Sequence, residues 1–120
     1  MIICQPVEKE QGIDNVLHGH FRSAPRFVVY DTKTNEAKVL GNQFKLHDHN
    51  VSKPIRSLKE QLVEVAIVGG LDRCTLMKLQ NSGFKVYQAA MQTLEDNLAA
   101  FEKGELKELT MQNIRRGYPC

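Results

Sequence analysis

At 120 residues the chain supports one domain, and a second is not expected. With 42% hydrophobic and 25% charged residues it can bury a core, and no apolar run approaches the roughly 20 residues of a membrane span. A net charge of +2 is too small to argue for nucleic acid or a membrane surface as partner. Three cysteines, Cys4, Cys74 and Cys120, stand far apart with no Cys-x-x-Cys pair. That predicts free thiols and a cytoplasmic protein rather than a disulfide framework. Met1–Gln5 has no basic segment ahead of an apolar core, so it does not read as a signal peptide.

The first element is an apolar strand, Ile2–Gln5, stopped by Pro6. A polar loop over Glu8–Asn15 leads into Val16–Phe21, which carries His18 and His20. Pro25 introduces a strand over Arg26–Asp31, with proline tolerated at its start. Thr32–Asn35 is turn material, and Glu36–Leu40 completes a hairpin. Phe44–Val51, with His47 and His49, is polar and reads as irregular. Ser52 and Pro54 are helix start signals, and Ile55, Leu58 and Leu62 follow at helical spacing as one apolar stripe.

Val65–Val68 is a short, uncharged, β-branched run that suits a central strand buried on both faces. Gly69-Gly70 ends it, and Asp72 occupies the N-cap position of a helix with Leu76 and Leu79 on one face. Gly83 terminates that helix, and Lys85–Tyr87 resumes as a strand. Strand, helix, strand in this order predicts parallel pairing with a right-handed crossover. Thr93 caps a third helix, with Asp96 completing an imperfect capping box and Leu94, Leu98 and Phe101 on its buried face. Lys103 and Gly104 end it, and Glu105–Cys120, with weak periodicity, reads as a tail. The sum is a mixed five-stranded sheet with helices on both faces, its first strand parallel to Val65–Val68. Ligands of open α/β sheets bind at the carboxyl ends of strands, which here gathers Gln5–Val7, the His18/His20 loop and Gly69-Gly70.

Candidate chemistry concentrates there. A glycine turn leading into a helix N-terminus favours an anion, with Asp72 as cap and Arg73 as a neutralising cation. His18 and His20 form one His-x-His pair and His47 and His49 another, spacings that put both rings on one face of an extended chain. Each pair is equally readable as polar loop. Cys74 lies in the first helical turn, where the helix dipole favours thiolate, so it is a soft-ligand candidate or a small buried side chain. No Walker A, G-x-S-x-G, H-E-x-x-H or G-x-G-x-x-G motif occurs, and no cluster of carboxylates supports a nuclease.

His20-Phe21-Arg22-Ser23-Ala24-Pro25-Arg26-Phe27 followed by Val28–Asp31 resembles the His-Phe-Gly-x-Ala-x-x-Phe…Asp signature of the dinitrogenase iron–molybdenum cofactor biosynthesis family. That family includes NifX-type and NafY-type carriers and the C-terminal part of NifB-type proteins. Ala66–Gly70 through Leu76 and Leu79 to Gly83 resembles its second signature, and Val86-Tyr87, Thr93, Leu98 and Gly104–Leu106 its third. The resemblance runs from about Ile2 to Leu109, which makes 1–109 the domain and 110–120 a tail. It implies an RNase H-like three-layer α/β/α sandwich and a non-enzymatic role, binding an iron–molybdenum or other metal–sulfur cluster for storage or delivery. It implies a cofactor-assembly or acceptor protein as partner, in nitrogen fixation, with no nucleic acid and no membrane. His20 matches the family's motif histidine. Arg22 stands where the family often has glycine, and Ala89–Thr93 replaces a Gly-Ala-Ser-Gly-Thr stretch without either glycine. Less glycine means less close approach of backbone to a ligand. The alternative is an interaction or regulatory module of the same fold with no cluster.

Overall fold

The computed structural model describes residues 1–8, 16–19, 21, 24–41 and 52–112. Its central strand is β1 (Ile2–Val7), followed by β2 (Arg26–Asp31), β3 (Glu36–Gly41), α1 (Ser52–Glu60), β4 (Val65–Val68), α2 (Arg73–Asn81), β5 (Lys85–Gln88) and α3 (Leu94–Glu102). The sheet order is β3-β2-β1-β4-β5. β1 pairs antiparallel with β2, Cys4 facing Val29, and parallel with β4 through Ile3–Val65 and Cys4–Ala66. β4 and β5 are parallel in turn, Ala66 opposite Val86. The strand extends two residues beyond the sequence expectation. Pro6 fits because it lies past the two residues that pair with β4.

Alternation along the strands builds two cores. Cys4, Phe27, Val29, Ala66, Val68 and Val86 face one side, where Ile55 and Leu58 of α1 and Leu76 and Leu79 of α2 pack on them. Ile3, Val7, Val28, Val65 and Ile67 face the other, under Leu94 and Leu98 of α3. Each fully buried leucine contributes about 1.5–3 kcal/mol of transfer free energy. The result is the expected α/β arrangement, with helices on both faces of a mixed five-stranded sheet.

All three helices end in the same hydrogen-bond pattern. In α2 the Gly83 N–H donates to the Gln80 carbonyl at 3.0 Å and the Phe84 N–H to that of Leu79 at 3.0 Å. In α3, Gly104 and Glu105 do the same to Phe101 and Ala100. Both glycines have positive φ, 92° and 72°, as this cap requires. In α1 the residue at that position is Leu62, with φ 63°, donating to Lys59 while Val63 donates to Leu58. Leu62 therefore leaves the apolar stripe expected for it and is 72% exposed.

Glu105–Leu109 does not hang off as a tail. The Gln88 N–H donates to the Lys107 carbonyl at 2.8 Å and the Leu109 N–H to that of Val86 at 2.8 Å. A Tyr87–Glu108 bridge lies between them, and Leu106 and Leu109 are buried. The outer side of β5 is thereby covered. Residues 113–120, including Cys120, lie outside the described residues.

Candidate functional site

The carboxyl ends of β1, β4 and β5 meet at one end of the sheet, as expected. What the sequence does not announce is a three-residue strand inserted among them. The Glu8 N–H donates to the Val16 carbonyl at 3.2 Å and the His18 N–H to that of Pro6 at 2.9 Å, either side of a Val7–Leu17 bridge. On its other side, the Leu17 N–H donates to the Gln92 carbonyl at 2.6 Å beside a Val16–Thr93 bridge. Residues 16–18 thus run antiparallel to the end of β1 and to the β5–α3 connection at once.

This strap explains the glycine turn. A Cβ on Gly69 would meet Leu17 Cδ2 at 3.1 Å and the Gly19 carbonyl at 3.3 Å. The Gly70 carbonyl accepts from the Phe21 N–H at 3.2 Å. Gly69 is small because the chain's own strap packs against it. Nearby, the Gln88 side-chain amide donates to the Gly69 carbonyl at 2.8 Å, and the Ala89 N–H to that of Val68 at 2.7 Å.

The β5–α3 connection is fixed from beneath. Asn97, fully buried, accepts from the Ala90 and Met91 N–H groups through Oδ1 at 3.2 and 2.9 Å. Its Nδ2 donates to the Met91 carbonyl at 3.2 Å and to Gln5 Oε1 at 2.9 Å. Gln5, also fully buried, keeps an unpartnered Nε2 among the described residues. No periodicity flags this pair, because a buried amide looks like surface in a sequence.

At the start of α2 the Asp72 carboxylate accepts from the Thr75 N–H at 2.7 Å, so it acts as the N-cap. Arg73 follows it, half-buried. The Thr75 hydroxyl is buried and has no partner among the described residues. His18 is 24% exposed, with Nδ1 3.5 Å from Glu8 Oε1. Arg26 donates from Nη1 to the Glu8 carbonyl at 3.0 Å.

The cysteines part company. Cys74 is held in a disulfide, so the expectation of a free thiol is corrected there, and its sulfur is no thiolate ligand in this state. Cys4 is free, and burial pushes its thiol up to about 12. It is core. His20, His47 and His49 lie outside the described residues, as do Arg22 and the whole Phe44–Val51 segment. Among the described residues no three His, Cys, Asp or Glu side chains gather as a metal site, and no helix is long and apolar enough to cross a membrane.

The dinitrogenase iron-molybdenum cofactor family matches residues 1–104. The chain belongs to that family. Its membership ties the protein to the biosynthesis or binding of that cofactor. Among solved structures, a Thermotoga protein provisionally assigned as NifB is 27% identical, with 97% of this chain and 98% of that one covered and a TM-score of 0.82. The apo form of the orange protein from Desulfovibrio gigas is 22% identical over 90% and 92% of the two chains, with a TM-score of 0.81. A Methanocaldococcus jannaschii protein provisionally assigned as a dinitrogenase reaches 16% identity, 92% and 95% coverage and a TM-score of 0.69. The last two show a shared fold. No curated protein matches the chain.

Proposed function

We propose that the protein is a non-enzymatic, cytoplasmic carrier or scaffold that takes an anionic iron/molybdenum–sulfur cluster, or a precursor of it, as cargo for storage or delivery. The observation that supports this most is the capped N-terminus of α2. It opens at the carboxyl end of the sheet beside a buried Thr75 hydroxyl that has no partner among the described residues, in a chain of the iron–molybdenum cofactor family. Helix N–H groups and the Arg73 guanidinium favour a sulfide-rich anion there. Gly69 and Gly70 shape the turn, Asp72 orders the helix end, and His20 supplies a ligand, with His18, His47 and His49 as further donors. An acceptor or cofactor-assembly protein is the partner that such cargo requires.

A second reading has its own support. The space at Gly69 is filled by Leu17 and Gly19, and Cys74 is oxidised. Both favour an interaction or regulatory module that holds no cluster.

Anaerobic reconstitution with iron or molybdate plus sulfide separates the two. The carrier reading expects visible charge-transfer absorption that is weakened in His20→Ala and Arg73→Ala. Absence of any band in the wild type, or bands unchanged in both variants, overturns it in favour of the interaction module.

A further inference from the structure

The two edges of the sheet end differently. β5 is covered by Glu105–Leu109, which bonds to it through Lys107 and Leu109. β3, at the opposite edge, has β2 as its only strand neighbour among the described residues. The bonding pattern says which of its backbone groups point outward. The Thr32 N–H donates to the Met1 carbonyl at 2.9 Å, while the Ile2 carbonyl accepts from the Glu64 N–H on the β4 side at 2.9 Å. Alternate residues of an antiparallel strand bond to alternate neighbours. Val28 and Tyr30 therefore turn their backbone groups to β1, and Phe27, Val29 and Asp31 turn theirs to β3. Their partners in β3 are Leu40, Lys38 and Glu36. Ala37, Val39 and Gly41 are left with N–H and C=O groups directed away from the sheet, with no partner there among the described residues.

Little protects this edge. β3 is 6 residues long, is paired to β2 throughout and contains no proline. Its lysine, Lys38, lies on the face shared with Leu40, and its ammonium donates to Gln61 Oε1 at 3.2 Å. The other face carries Ala37, Val39 and Gly41, all without charge.

The strand's own sequence selects the partner. An antiparallel neighbour bonded to the outward groups must match outward residues with outward residues. When the neighbour is a second copy of β3, the register centred on Val39 engages all of them. It sets Val39 against Val39 of the second copy, Ala37 against Gly41 and Lys38 against Leu40, with no like charges opposed. The register centred on Lys38 opposes two ammonium groups directly, which is destabilising, and it carries Gly41 into the turn at Asn35, whose φ is 59°.

We propose that β3 is the surface through which two copies of this chain associate, antiparallel and centred on Val39, joining two five-stranded sheets edge to edge. The pairing keeps α1 and α2 of both copies on one face of the joint sheet and both α3 helices on the other. It sends the carboxyl ends of β1, β4 and β5 of the two copies toward opposite ends, so neither copy covers the candidate site of the other. The inference goes beyond the function proposed above and stands without it.

Amide hydrogen exchange of the intact protein, read residue by residue by NMR in dilute and in concentrated solution, carries the signature of this pairing. The Lys38 and Leu40 amides, bonded to β2, are protected in both. The Ala37, Val39 and Gly41 amides exchange freely in dilute solution and slow by at least about tenfold in concentrated solution, where sedimentation reports a dimer. A mixture of isotope-labelled and unlabelled protein then shows the Lys38 Hα of one copy close to the Leu40 Hα of the other. Ala37→Pro removes one outward N–H from an exposed residue, leaves the bonds to β2 in place and returns the protein to monomer. The wild-type readings decide even where that variant fails to fold. A dimer with those three amides unprotected, or one that persists in folded Ala37→Pro, puts the interface elsewhere and overturns the proposal. A monomer at every concentration overturns it too and leaves the edge to an extended segment of a different protein.

Discussion

Leu62 occupies the left-handed position of a helix cap that the other two helices fill with glycine. A branched-γ side chain there strains the backbone by about 1 kcal/mol, and at 72% exposure it recovers little by packing. Leu62→Gly is therefore expected to raise the melting temperature by roughly 4 °C; an unchanged or lower value refutes the strain. The sequence misleads here because Ile55, Leu58 and Leu62, at i, i+3 and i+7, look like one stripe, while the cap is written in hydrogen bonds. Cys4 offers a second test. Burial raises its thiol from the ordinary 9.0 to about 12, so the folded state favours the neutral form. That contribution is complete below pH 9 and is lost as pH rises toward 12, where the unfolded chain has already released its proton. Unfolding free energy measured across this window falls more steeply in the wild type than in Cys4→Ala, and equal slopes would contradict the assignment.

At the level of elements, helix ends were legible wherever a side chain announces them. Asp72 and Thr93 cap α2 and α3 as their positions predict, each accepting from the N–H three residues on. The strap over residues 16–18 was not legible, since three residues are too short for any period to register. The same holds for Glu105–Leu109, whose pairing with β5 is backbone to backbone. Buried amides were equally silent. Asn97 joins β1, α3 and the β5–α3 connection, so Asn97→Ala strands the Ala90 and Met91 N–H groups and Gln5 Oε1 together. A loss of about 2–4 kcal/mol is expected in urea unfolding. A loss below about 1 kcal/mol would mean that these contacts contribute little.

Over the whole molecule, the parallel pairing of β1 with β4 and the two-faced core follow from hydrophobic pattern and connection order, which is why the architecture could be anticipated. The site is a different matter: its backbone comes from segments that meet only in the folded chain. Leu17 touches the end of β1, the β4 turn and Gln92, and these stand about 10, 50 and 75 residues away along the sequence. Such a segment cannot be placed until all three of its neighbours are. Loop closure over those separations is an entropic cost met before any contact forms. The strap should then be the last rung to zip on folding and the first to release. Shortening Leu17 would speed unfolding and leave the folding rate nearly untouched, and a folding rate that fell in step with stability would show the order to be the reverse. A protein built this way keeps the cover over one end of its sheet outside its folding nucleus, so that cover can open without the sheet coming apart.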